Sequence, residues 1–226
     1  MDAVIVTGAA GALGHAVVAD FREAGRPVVA LDLPGDRLSA LADQDGVHAV
    51  PVDLARRAAV HAAFAEIDAL PVTPTALVGL AGGFTPGKLA DVDEEQLDAL
   101  WRSNFGSALW TAQAAAPRLA AAGGGAIVTV GSKTAVTGPA PVAHATSKAA
   151  VVRLTALLAD ELRAERIRVN AVLPSTIDTP ANRSWMSPEQ AARAVAPAAI
   201  AKVIAFLCGP DAAPISGATI PVYGDA

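Results

Sequence analysis

The chain of 226 residues is poor in the groups that carry many chemistries. It has one cysteine, Cys208, so no internal disulfide can form. Cys208 sits in the apolar run "VIAFLCG" and reads as a small buried residue rather than a nucleophile. The single tyrosine, Tyr223, stands near the C-terminus, which leaves no phenol elsewhere in the chain. No metal-ligating pattern is read. Basic residues form no run: the densest cluster, Arg163 to Arg168, contains Glu165 and reads as a solvated helix end. Together with a net charge of −5, this argues for no nucleic acid partner. No stretch reaches about 18 uninterrupted apolar residues, so no membrane-spanning helix is expected. The opening "MDAVIVTG" is acidic and enters a short apolar run at once, unlike a signal peptide. A cytoplasmic protein is expected.

What is present is a core. With 53% hydrophobic residues, the chain can bury one compact interior. Short apolar runs alternate with longer amphipathic ones. Strands are expected at 3–8, 27–32, 47–53, 76–82, 125–132, 167–174 and 218–224. Helices are expected at 12–25, 36–43, 54–67, 93–122, 142–164 and 196–209, the fourth of them bent near Gly106 or Pro117. Seven apolar strands alternating with helices predict an α/β, Rossmann-type, doubly wound parallel seven-stranded sheet. No linker or repeat divides the chain, so residues 1–226 are read as one dinucleotide-binding domain.

The first strand runs into "TGAAGALG" (7–14), which opens the first helix. Glycines 8, 11 and 14 let the backbone turn tightly and bring a pyrophosphate against the helix N-terminus. The second strand ends at Asp32, 18 residues after Gly14. A carboxylate there can accept both ribose hydroxyls of NAD and repel the 2′-phosphate of NADP, so NAD is the expected cofactor and NADP the lesser one. A helix cap is the structural alternative for Asp32. Asp53, in "PVDL", could reach an adenine amino group or cap the next helix.

"TGAAGALG", Asp32, "VDL", Asn104, "VTVGS" and Lys148 occur in an order that resembles the short-chain dehydrogenase/reductase family over nearly the whole chain. Thr7, Gly8 and Gly14 match its loop pattern, whereas Ala12 stands at the usual middle glycine and Gly11 is its neighbour. The segments "LAGGF" and "LPSTIDTPANRSWM" are similar to the dihydropteridine-reductase-like branch. By this resemblance the cofactor site takes in Thr7, Gly8, Gly11, Leu13, Gly14, Asp32, Asp53, Leu54, Ala81, Gly82, Lys148, Pro174, Ile177 and Thr179. Ile177 and Thr179 would meet the nicotinamide carboxamide. The catalytic set would be Asn104, binding a structural water in a proton relay, Ser132, orienting the substrate oxygen at the end of the fifth strand, and Lys148, holding the nicotinamide ribose. Family members carry a tyrosine four residues before that lysine; this chain has His144. The family also implies a homodimer or homotetramer built through the two long helices, and a small-molecule substrate. Phe84 is expected to border the cleft, Trp185 and Met186 to line a pocket or pack, and Trp101 or Trp110 to be core or interface.

Imidazole has an ordinary pKa near ~6.5, and a neighbouring ammonium and a cationic nicotinamide would push it lower. A mostly neutral His144 is a competent base toward an alcohol. Three functions remain open on the sequence. The chain is an NAD-dependent oxidoreductase with His144 in place of the phenol; or a non-redox acid–base catalyst, such as a cyclase, dehydratase or isomerase; or a silent cofactor-binding subunit.

Overall fold

A computed structural model of the chain describes residues 1–225. Its centre is a seven-stranded sheet, parallel throughout, in the order β3-β2-β1-β4-β5-β6-β7. The strands are β1 Asp2–Thr7, β2 Val28–Asp32, β3 Val47–Pro51, β4 Thr73–Gly79, β5 Gly125–Val130, β6 Ile167–Pro174 and β7 Thr219–Val222. The helices are α1 Ala12–Glu23, α2 Asp36–Ala42, α3 Arg57–Ile67, α4 Glu94–Leu100, α5 Ser107–Ala121, α6 Val142–Glu161, α7 Pro180–Arg183, α8 Pro188–Arg193 and α9 Pro197–Cys208.

The central strands are rich in buried apolar residues because both sheet faces are covered. In β1, Val4 and Val6 join one core with Val17, Val18 and Phe21 of α1 and Ile200, Ile204 and Leu207 of α9. Ile5, pointing the other way, joins a second core with Val60 and Phe64 of α3, Leu119 of α5 and Ile127 of β5. The order leaves β1 beside β4, so the chain departs from this pair in opposite lateral directions. That crevice, beyond the carboxyl ends of β1 and β4, is where open parallel sheets hold ligands.

Three expectations change. The fourth strand begins at Thr73 and ends at Gly79 rather than spanning 76–82, because Asp2 and Ala3 of β1 pair with Thr73 and Pro74. The fifth ends at Val130, so Ser132 lies beyond the sheet, where its hydroxyl caps a 3-10 turn at Lys133–Ala135. The expected helix 93–122 is two helices joined by a π-helical turn, Trp101–Gly106. The break therefore ends at Gly106, and α5 runs through the exposed Pro117. The phase change also separates the tryptophans: Trp101 is exposed and tilted against Phe105, while Trp110 packs on the second core. Among the described residues no helix is long and apolar enough to cross a membrane.

Candidate active site

The crevice begins at the turn after β1. Gly8 has φ +65°, a left-handed conformation that glycine adopts without strain, and a Cβ there would lie 2.8 Å from the Ala81 nitrogen. At Gly14 a Cβ would stand 2.2 Å from the Gly8 carbonyl oxygen. Helix α1 can therefore press its first turn onto the loop only through this glycine. Gly11 occupies the N-cap, with no side-chain cap and no acidic residue in the first turn. The first N–H groups of a 12-residue helix are thus left for an anion at the crevice floor. Thr7 supports the floor from below, its hydroxyl accepting from the Leu80 and Ala81 N–H groups at 3.1 and 3.3 Å.

Asp32 ends β2 on the far rim. Its carboxylate accepts from Ala10 N–H at 2.8 Å and from Leu33 N–H at 2.7 Å. The structure thus ties the acidic rim to the glycine loop rather than to a helix cap. Each carboxylate oxygen keeps capacity for a further donor. Asp53 accepts from Ala55 N–H at 3.0 Å in a local turn. A cleft of about 630 Å³ joins these groups: Gly8, Gly11, Asp32, Asp53, Leu54, Ala81 and Gly82 line it. Arg37, on the first turn of α2, lines it as well, as do Ser103 and Ser107. The five-residue spacing of Arg37 from Asp32 was the available signal for the cation. Of the expected contacts, Thr7, Leu13, Gly14, Lys148, Pro174, Ile177 and Thr179 do not line this cleft. Leu13 and Ile177 pack on the first core, Pro174 is buried at the end of β6, and Thr179 caps α7 through Asn182 N–H at 3.1 Å.

At its inner end the cleft meets a second group of side chains. A Cβ on Gly82 would stand 2.4 Å from Asn104 Oδ1 and 3.1 Å from Lys148 Nζ, so the bare glycine admits both heads. Lys148 is buried and donates to the Val130 carbonyl at 2.9 Å. Burial depresses its ammonium to about 8. Asn104, in the π-helical turn, clasps the Gly83 peptide: Oδ1 accepts from Gly83 N–H at 2.8 Å, and Nδ2 donates to the Gly83 carbonyl at 3.2 Å. The second Nδ2 proton goes to Ser147 Oγ at 2.9 Å. Both amide protons and the amide oxygen of Asn104 thus engage protein groups.

His144 lies one turn before Lys148 on α6, half-buried. Its Nδ1 is 3.3 Å from the Gly83 carbonyl oxygen, and the exposed Phe84 ring meets it edge to face, with centroids 5.0 Å apart. Desolvation holds the imidazole below its ordinary pKa, the Lys148 charge adds to this, and the Gly83 carbonyl opposes it. Ser132 shares a hydrogen bond with Thr134 Oγ1 at 2.8 Å and accepts from Thr134 N–H at 3.2 Å. Tyr223 lies elsewhere, its ring 5.2 Å from the Lys133 ammonium. Cys208 is half-buried with its thiol pushed up to about 12 by burial, consistent with an inert residue. Trp185 is exposed between α7 and α8. Sequence reasoning passed over Gly83 and Ser147, whose parts depend on contacts 21 and 43 residues distant.

The chain as a whole is similar to known proteins. The family model described as Enoyl-(Acyl carrier protein) reductase matches residues 8–224. D-xylose 1-dehydrogenase of Caulobacter vibrioides is 33% identical over 95% of this chain and 91% of its own. The 4-formylbenzenesulfonate dehydrogenase of Comamonas testosteroni is also 33% identical, over 97% of this chain and 95% of its own. The 3-ketoacyl-(acyl-carrier-protein) reductase of Brucella melitensis, solved with NADH, superposes with a TM-score of 0.90 at 27% identity, covering 99% of this chain and 97% of that one. With a matching family model over nearly its whole length and relatives of this kind, the chain belongs to the short-chain dehydrogenase/reductase family.

Proposed function

We propose that the chain is an NAD-dependent oxidoreductase that moves hydride between nicotinamide and a small alcohol or carbonyl compound, with His144 exchanging the proton at the substrate oxygen. The observation that carries this reading is the junction at Gly82. There a crevice fitted to a dinucleotide ends against Lys148 and Asn104, and His144 hangs on the adjoining Gly83 carbonyl.

The residues present fit the cofactor. The open first turn of α1 suits a pyrophosphate, the glycines at 8 and 14 let the loop pack tightly against the chain after β4 and against α1, and Asp32 offers acceptors to ribose hydroxyls. That carboxylate favours NAD over NADP, although Arg37 puts a cation on the same rim. Asp53, Leu54, Ala81 and Gly82 complete the lining, and by family resemblance Leu13, Pro174, Ile177 and Thr179 add contacts, the last two at the nicotinamide carboxamide. When bound, the nicotinamide supplies the hydride acceptor or donor.

The chain's own residues do the rest. Ser132 orients the substrate oxygen with its hydroxyl. His144 takes up or gives back the proton there. Lys148 holds the ribose and, as a buried ammonium, disfavours protonation of the imidazole. Asn104 fixes the Gly83 peptide on which His144 rests. Relatives named D-xylose 1-dehydrogenase and NAD-dependent glycerol dehydrogenase support a small hydroxyl compound as substrate. The similarity of "LAGGF" to the pterin-reductase-like branch is one of motif and assigns no substrate. A small-molecule substrate and a homodimer or homotetramer complete the proposal.

The test is a panel of small alcohols and sugars with NAD, followed by the absorbance of NADH. Activity should appear with at least one member and fall at least about 100-fold in His144→Ala, the low end of what a positioned acid–base group contributes. Activity that survives His144→Ala intact would falsify the assigned role. Turnover with no change in nicotinamide redox state would replace the reading with non-redox acid–base chemistry.

A further inference from the structure

The hydrogen bonds around Gly83 settle where protons sit, and through them the way the imidazole faces its substrate. The Ser147 hydroxyl donates to the His144 carbonyl at 2.8 Å, so its oxygen is left to accept from the Asn104 amide at 2.9 Å. That identifies the Asn104 nitrogen and turns Oδ1 toward the Gly83 N–H. The Gly83 carbonyl oxygen has two acceptor sites; Asn104 Nδ2 uses one and His144 Nδ1 the other. A carbonyl oxygen cannot donate, so the contact requires a proton on Nδ1. In neutral imidazole the other nitrogen then carries a bare lone pair. The Phe84 ring edge and the Asn104 clasp hold this arrangement from two sides.

We infer that neutral His144 is held as the Nδ1–H tautomer and acts through Nε2 as a proton acceptor, so that the active site is set for oxidising an alcohol and poorly set for reducing a carbonyl. The inference rests on the oxidoreductase reading above and adds the atom and the favoured direction. In the step, the alcohol O–H bond breaks and its proton forms an N–H bond at Nε2. The C–H electron pair leaves with its hydrogen to oxidised NAD, and the carbonyl double bond forms. The imidazolium then returns its proton to solvent. Reduction needs the reverse: an imidazolium with a proton on Nε2, because the Nδ1 proton is already committed to Gly83.

That imidazolium is disfavoured by its surroundings. The loop after β4 turns the Gly83 carbonyl and the Phe84 ring toward His144, and the π-helical turn brings only the neutral Asn104 amide to the same carbonyl. The acidic side chains of α4, Glu94, Glu95 and Asp98, are exposed. Lys133, on the turn packed against α6, lies over the Tyr223 ring. Lys148, on the helix of His144 itself, opposes a second positive charge.

The experiment is long-range proton–nitrogen NMR on the 15N-labelled wild-type chain, with the His144 signals assigned by their absence in His144→Gln. Above the ring's pKa, His144 should show a protonated Nδ1 and a bare Nε2. A protonated Nε2 with a bare Nδ1 would overturn the inference. In parallel, kcat/KM is followed against pH with one alcohol and its carbonyl product. Oxidation should rise to a plateau above the ring's pKa, while reduction falls about tenfold per pH unit over the same range. Reduction that stays level there would also overturn it. The Nδ1–H form without NADH formation from any alcohol would instead sink the oxidoreductase reading, and the direction with it.

Discussion

Lys148 sets function against stability at a single side chain. Burial lowers it from 10.5 to about 8, so the unfolded chain holds the proton more tightly than the fold does. Stability contributed through this group therefore rises as pH climbs from about 8 toward 10.5, and below about 8 the full desolvation penalty is present. The shift corresponds to about 3 kcal/mol before the bond to Val130 is counted. Lys148→Met should raise Tm by a few degrees while removing activity, as calorimetry and the NADH assay would show; a lower Tm would mean that the bond to the Val130 carbonyl outweighs the cost of burying the charge. His144 has the same sign of linkage at lower pH: its depressed pKa adds nothing above about 6.5 and costs stability as pH falls below that value. At the opposite rim, Asp32→Ser should raise the KM for NAD about tenfold, roughly 1.4 kcal/mol of lost ribose binding. It should also improve relative use of NADP, since Arg37 stays on the rim when the carboxylate is gone. Unchanged cofactor preference would remove Asp32 from the ribose site.

The first βα unit shows how an element is fitted to a ligand by what it omits. Gly14→Ala would drive a Cβ to within 2.2 Å of the Gly8 carbonyl oxygen, and backbone on both sides leaves nothing flexible to move. Gly11→Ala meets the same oxygen at 3.3 Å, a distance the loop can absorb with a small shift. The first substitution should destabilise the chain by about 1–3 kcal/mol and abolish NAD binding in a calorimetric titration; the second should do neither to a comparable degree. Equal effects would show that the fit of α1 to its loop is not what the glycines secure. The π-helical turn is a different kind of element. "WRSNFG" has no breaker until its final glycine, so it reads as uninterrupted helix. Within it Asn104 reaches Gly83 and Ser147, and the Ser107 hydroxyl donates back to the Ser103 carbonyl.

Across the molecule, the site is assembled from segments far apart in the chain. The Gly83 peptide follows β4, Asn104 precedes α5, and His144, Ser147 and Lys148 ride on α6, whose lysine reaches back to β5. Leu97 of α4, Trp101 of the π-helical turn and Leu157 of α6 are exposed, apolar groups that a second copy could cover. Sedimentation at micromolar concentration should give two or four times the chain mass, and Leu157→Lys should lower it; a monomer in the unmodified protein would dismiss the expected assembly.

The sequence by itself determined the layered α/β fold. Strands buried on both faces are apolar at most positions, and "AVIVTG" and "GAIVTV" carry that pattern locally. It also determined the glycine loop, Asp32 and the His144–Lys148 spacing, because each is a short-range pattern. The limits of β4, the π-helical turn, the rim position of Arg37 and the place of Ser147 were decided only in three dimensions. So was the proton on Nδ1 of His144. The reason is that a hydrogen bond is donated or accepted according to which distant backbone group arrives, and sheet register and helix packing bring it there.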